Sequence, residues 1–194
     1  LDLDSFWVDH GGDVTAERYE RLAREVGLSY DRATSHARRV AHRDRLHAEL
    51  QLRPGIGSWL DQAERANLRL AVASSSPRGW AHHLLAGVDS AHRFEVFACG
   101  DEVSAPKPDP AVYRLALDRL GLPADQVIAV EDAPHGVAAA QAAGLRCVAI
   151  PNPHMAAARL AAAELLLTSA TEITLGQVLD TIDHVPRVAG SGDH

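Results

Sequence analysis

Residues 126–150 read QVIAVEDAPHGVAAAQAAGLRCVAI. Gln126 to Val130 is an apolar run of strand length, and Arg146 to Ile150 is a second. Between them, Gly136 to Ala143 is a helix of small residues, stopped by Gly144. Neighbouring strands joined through a helix lie parallel. The same alternation extends in both directions. Upstream lie strands at Leu68 to Ala73 (LRLAVA) and Phe94 to Cys99. Helical faces appear at Ile56, Trp59, Leu60 and Ala63, across Trp80 to Leu85, and at Val112, Leu115, Ala116 and Leu120, the last closed by Gly121. Downstream, Ala156 to Ala163 reads as helical, Leu165 to Leu167 as a short strand, and Leu175, Val178, Leu179 and Ile182 as a last helix. The fold class is therefore α/β: a Rossmann-like parallel sheet with helices on both faces.

The first residues follow another pattern. Tyr19, Leu22, Ala23 and Val26 make one helical face, with Thr15 as its cap and Gly27 as its stop. A second helix is expected from Asp31 to about Leu50. Its Arg38, Arg39, Arg43 and Arg45, with His36, His42 and His47, read as a solvated charged face, with Arg39 or Arg43 as the alternative for a ligand contact. Arg53-Pro54-Gly55 breaks the chain. The expected organisation is a helical unit at 1–52, an α/β core at 53–188 and a frayed tail at 189–194.

Composition narrows the function. The chain has 194 residues, and 26 acidic against 19 basic side chains leave a net charge of −7, which argues against a nucleic-acid partner. No apolar run approaches the roughly 20 residues of a membrane span, and no leader opens the sequence, so a cytoplasmic protein is expected. Cys99 and Cys147 sit in apolar stretches and read as buried thiols.

In such sheets ligands sit beyond the carboxyl ends of the strands. Ser74-Ser75-Ser76-Pro77-Arg78 follows the first strand and offers hydroxyls and N–H groups to a phosphate, or is an ordinary loop. Lys107 stands between Pro106 and Pro108, a stiffened backbone suited to holding one ammonium against an anion. Glu131-Asp132 ends the next strand. Two adjacent carboxylates repel unless a cation joins them, and Mg2+ fits; the alternative is that one caps the following helix.

The order of these three groups, in "LAVASSSPR", "FACGDEVSAPKPDPAVYRLALDRLG" and "AVEDAPHGVAAAQAAGLRCVAIPNP", resembles the haloacid dehalogenase-like (HAD) hydrolase superfamily. The nearest branch contains β-phosphoglucomutase and small sugar-phosphate phosphatases. Residues 1–52 are similar to the family's helical cap. The resemblance implies phosphoryl transfer through an aspartyl-phosphate, with a small phosphorylated metabolite as partner and Mg2+ as cofactor. Ser74 and Lys107 would be catalytic. Ser74, the Ser75 N–H and Lys107 would bind phosphate, and Asp132 with Glu131 would hold the metal. Arg78 is a possible substrate contact. Ala133 and His135 depart from the Ser and Asn frequent at those positions.

The family's first motif supplies the nucleophile as Asp-x-Asp after an apolar strand. Here only Leu1-Asp2-Leu3-Asp4-Ser5-Phe6-Trp7-Val8-Asp9 offers a candidate. Only Leu1 precedes Asp2, and Phe6 would crowd a phosphate. Residue 1 is Leu, and the only Met is Met155. The expectation is that the motif is absent and that Leu1, Leu3, Phe6 and Trp7 begin a cap helix. In the family that strand lies at the centre of the sheet, so its neighbours are expected to carry unpaired edges. The functions left standing are a phosphatase, a sugar phosphomutase and a non-catalytic protein of the same fold. A dinucleotide-binding domain is disfavoured, because no G-x-G-x-x-G follows a strand.

Overall fold

A computed structural model describes residues 20, 24, 31–153 and 155–184. The candidate first motif at 1–9, the expected caps Thr15 and Gly27 and the tail at 189–194 lie outside them. The chain divides into two compact units, Leu1–Gln51 and Leu52–His194.

In the first unit, Glu20 and Arg24 are helical. Helix α1 spans Arg32–Ala48. Asp31 caps it: the carboxylate accepts from the N–H groups of Ala33 and Thr34, at 3.0 and 3.3 Å. These are among the helix's otherwise unpaired first donors. The basic side chains of α1 are exposed at Arg38, Arg39, Arg43 and Arg45. Arg39 lies 3.2 Å from His36 Nδ1, and Arg43 pairs with Asp44 at 2.9 Å.

The second unit runs α2 (Ile56–Arg65), β1 (Ala71–Ser74), α3 (Arg78–Gly87), β2 (Val96–Cys99), α4 (Ala111–Leu120), β3 (Ile128–Glu131), α5 (Pro134–Ala142), β4 (Arg146–Ala149), β5 (Leu165–Leu166) and α6 (Leu175–His184). All pairing is parallel. β1 pairs with β2, Ala71 opposite Val96 and Ser74 opposite Cys99. β3 pairs with β4, Ile128 opposite Arg146 and Glu131 opposite Ala149, and β4 pairs with β5.

Alternation along β4 shows why the sheet is covered twice. Cys147 and Ala149 enter one apolar cluster with α4 and α5, through Val112, Tyr113, Ala116, Val137, Ala139 and Ala140. Val148 and Ile150 enter another with Trp59 and Ala63 of α2 and Val178 and Ile182 of α6. Successive strand residues point to opposite faces, so a strand buried on both sides reads as a continuous apolar run. Alanines in α5 let that helix approach the strands closely; Ala139 and Ala140 are fully buried.

The pairing forms two sheets rather than one. Among the described residues, β1 bonds only to β2, and β3 only to β4. Yet the first cluster is continuous beneath both sheets, since Ala98 of β2, Ala129 of β3 and the partly buried Ala71 and Ala73 of β1 all join it. On the opposite face Val130 of β3 is 46% exposed.

Several expected boundaries move, among them the start of the third strand, at Ile128 rather than Gln126, which ends a 3-10 turn. The first strand starts at Ala71, not Leu68, because the Leu68 N–H donates back to Ala63 and closes α2. The second starts at Val96 rather than Phe94. The helix expected over Ala156–Ala163 is only a 3-10 turn at Ala157–Leu160. The chain is drawn into the sheet just after it: the Glu164 N–H donates to the Cys147 carbonyl at 3.1 Å, and the Glu164 carboxylate accepts from the Cys147 N–H at 2.7 Å.

Candidate functional site

The carboxyl ends of β1 and β3 carry the groups of interest. Ser74 ends β1, and its Oγ accepts from the Ser76 N–H at 3.1 Å, which tightens the serine turn. Gly100, just past β2, presses on that turn: a Cβ there would meet the Ser75 carbonyl oxygen at 2.2 Å. The Gly100 N–H donates to Ser76 O at 3.0 Å. A side chain at Gly100 would push the turn out of place.

Lys107 reaches across from the loop before α4. Its Nζ donates to Ala73 O, one residue before Ser74, at 3.0 Å, and to Glu131 Oε1 at 2.5 Å. One ammonium thus ties β1 to β3, the two strands that share no backbone bond. The side chains are nearly buried, Lys107 at 11% exposure and Glu131 at 9%. Desolvation of a pair like this offsets much of its attraction, but removing one partner strands the other charge.

Glu131 has a further donor, the Tyr113 hydroxyl on α4. Burial and the neighbouring Glu131 charge raise the Tyr113 phenol far above its ordinary range, so it stays a donor. Gly136 makes room for the same carboxylate, since a Cβ there would fall 1.9 Å from Glu131 Oε2. Asp132 follows and is exposed. Loss of water around its carboxyl, then the adjacent Glu131 charge, raise it above its ordinary value, while Arg53 and Lys107 oppose the shift. Arg53 is anchored beyond β4 by the carbonyls of Ile150 at 2.9 Å and Pro151 at 2.7 Å.

Of the residues singled out in the sequence, Ser74, Lys107, Glu131 and Asp132 converge at these two strand ends. Arg78 turns elsewhere. Its guanidinium donates to the Phe97 carbonyl at 2.7 Å, lies 3.6 Å from Glu102 and sits 5.6 Å from the Phe97 ring centre. Cys99 and Cys147 are fully buried, and desolvation pushes the Cys147 thiol up to about 12.

Sequence reasoning passed over Tyr113, Arg53, Gly100 and Gly136. Tyr113 falls on the apolar face of α4, where it looks like one more core residue. Its signal is the hydroxyl, which must find a partner once buried. Arg53 stood out only as part of a chain break.

Among the described residues no group of three or more His, Cys, Asp or Glu side chains could hold a metal ion. Glu131 is committed to Lys107 and Tyr113, whereas Asp132 is an exposed residue whose carboxyl has lost water and whose charge is disfavoured where it stands. A cation would relieve that, and Mg2+ needs only one or two protein carboxylates among its ligands. The residues present fit Mg2+ as a partial ligand set.

The sequence profile of the family described as haloacid dehalogenase-like hydrolase matches residues 14–150. The chain belongs to this family. It is similar to Protein CbbY of Cereibacter sphaeroides, 39% identical over 128 residues, covering 64% of this chain and 56% of that protein. It is also similar to the validoxylamine A 7'-phosphate phosphatase of Streptomyces hygroscopicus subsp. limoneus, 38% identical over 119 residues, 61% of this chain and 55% of the relative. The matched stretches thus span little more than half the length of these relatives. Among solved structures, a CbbY variant from Rhodobacter sphaeroides in complex with xylulose-(1,5)bisphosphate superposes with a TM-score of 0.64 at 35% identity, covering 81% of this chain and 76% of that one.

Proposed function

We propose that the chain carries the phosphate-anchoring and metal-holding part of a Mg2+-dependent HAD-type phosphatase that acts on a small phosphorylated sugar in the cytoplasm. The observation that carries this reading is the Lys107 ammonium, held between the carbonyl beside Ser74 and the carboxylate beside Asp132. The phosphorylated ligands in the names of its relatives support a sugar phosphate as substrate. Residues 1–52 serve as part of the helical cap.

In this reading the Ser74 hydroxyl and the Ser75 N–H donate to phosphoryl oxygens. Lys107 supplies the positive charge that phosphoryl transfer requires around those oxygens. Asp132 would hold Mg2+, with Glu131 assisting as a ligand or through a water. When bound, the cation neutralises further phosphate charge. The nucleophile is the first carboxylate of the family's first motif, and the phosphoryl group passes to it as the bond to the sugar oxygen breaks. Asp2 and Asp4, the candidates here, lie outside the described residues.

The test is calorimetric titration of the chain with inorganic phosphate in Mg2+, beside turnover of sugar phosphates. The chain is expected to bind phosphate, and Lys107→Ala to weaken binding at least about tenfold, the scale of one charge-assisted contact. Robust turnover lost in Asp2→Asn would assign Asp2 as the nucleophile, and unchanged phosphate binding by Lys107→Ala would sink the reading.

A further inference from the structure

Glu131 is held from three sides. Oε1 accepts from Lys107 and from the Tyr113 hydroxyl. Oε2 lies 3.3 Å from the Asp132 N–H. The wall beside it is Gly136, where no side chain fits. Tyr113 also touches Lys107 directly, with Nζ 4.8 Å from the ring centre. The residue is 6% exposed and packs in the core between α4 and the strands. Phe would fill that place equally well, and a buried hydroxyl costs free energy unless it is bonded. The packing does not call for the hydroxyl; the Glu131 carboxylate does.

An ammonium has three N–H donors. Ala73 and Glu131 take two of Lys107's, which leaves one for a ligand. How strongly that one can act depends on how much of the ammonium charge Glu131 already neutralises. Glu131 Oε1 is shared between two donors, so the phenol absorbs part of the carboxylate charge that would otherwise fall on Lys107. In a dry site such shared bonds modulate one another more strongly than in water.

We propose that Tyr113 is a positioning residue that sets, through Glu131, how much of the Lys107 charge is available to a phosphate group. The inference rests on the reading of Lys107 as a phosphate-binding residue. Without the hydroxyl, Glu131 pairs more tightly with Lys107, and an incoming phosphate competes with an undiluted carboxylate. The ring still fills the core and still faces the ammonium.

The experiment is titration of the full chain with inorganic phosphate in Mg2+, for the wild type, Tyr113→Phe, Glu131→Gln and the double variant, with melting temperatures alongside. Tyr113→Phe is expected to weaken phosphate binding about fivefold, the scale of one ordinary net hydrogen bond. In the Glu131→Gln background, where no carboxylate charge remains to be shared, the same change is expected to shift affinity less than about twofold. Equal losses in both backgrounds would reveal a packing role and overturn the proposal. Wild-type affinity in Tyr113→Phe would overturn it as well. Glu131→Gln leaves a buried lysine without its counter-charge, so a second series avoids that change: fluorinated tyrosines at position 113, which donate more strongly, are expected to tighten phosphate binding in order of donor strength. A flat series overturns the proposal. A wild-type chain that does not bind phosphate removes the reading of the site and this inference with it, an outcome distinct from all the others.

Discussion

Asp132 and Glu131 are neighbours with opposite circumstances. Glu131 has lost most of its water but gained an ammonium and a phenol, whereas Asp132, an exposed residue, has lost water around its carboxyl and faces a like charge, with no ion-pair partner among the described residues gained in return. The Asp132 carboxyl is raised above its ordinary value of 3.8. The folded chain therefore holds this proton more tightly than the unfolded chain, and stability falls as pH rises from 3.8 through the raised value. Asp132→Asn is expected to melt at a higher temperature than the wild type at neutral pH. The gap should close below the ordinary carboxylate range, where both states are protonated. Thermal melts across that pH range check it; a variant less stable than the wild type at pH 7 would contradict it. The same substitution should weaken Mg2+ binding, so the fold would gain what the site loses.

At the scale of elements, α5 begins at Pro134 with Gly136 in its first turn. Replacing glycine by alanine inside a helix ordinarily gains about 1 kcal/mol. Here the new Cβ would sit 1.9 Å from a carboxylate oxygen tied to Lys107 and Tyr113. Gly136→Ala is expected to destabilise by about 1–3 kcal/mol, the usual cost of overpacking, and to weaken phosphate binding with it. Chemical denaturation and phosphate titration of the variant check the sign; a stabilised variant would mean that Glu131 can move away freely. Most of these elements were legible in the sequence. The apolar runs of β2 and β4 and the faces of α2, α4 and α6 are periodic enough to place. The start of β1 and the shortened helix after Ala156 each lie beside a backbone bond, Leu68 to Ala63 and Glu164 to Cys147, that residue types do not announce.

For the molecule as a whole, the site was legible where chemistry is concentrated at strand ends and illegible where it comes from packing. Ser74, Lys107 and Asp132 stand out in the sequence only together, by their order at successive strand ends and the family resemblance that order carries. Tyr113 and Gly136 matter only because a helix and a strand bring them against one carboxylate, a relation that exists only in three dimensions. The division of the sheet lies between the two: the apolar runs show the strands, the family resemblance leads to the expectation of strands with unpaired edges, and β1 and β3 each have such a flank among the described residues, but which strand bonds to which could not be read.

That division governs how the backbone breathes. An amide exchanges its hydrogen with solvent at a rate set by the free energy of the opening that exposes it. β4 is flanked on both sides, by β3 and β5, and its amides open only when the three-stranded sheet does. β1 and β3 each have one flank without a strand partner among the described residues, so the amides on those flanks carry no ladder bond to break. In heavy water, residues 146–149 are expected to label slowest, and the outward amides of 71–74 and 128–131 to label orders of magnitude sooner. Mass spectrometry of peptides from the three strands reads this directly; uniform protection would mean that both flanks are covered. Because Lys107 bridges the same two strands, filling its site with phosphate should slow labelling at both tips together, so that occupancy is recorded as a clock in the backbone.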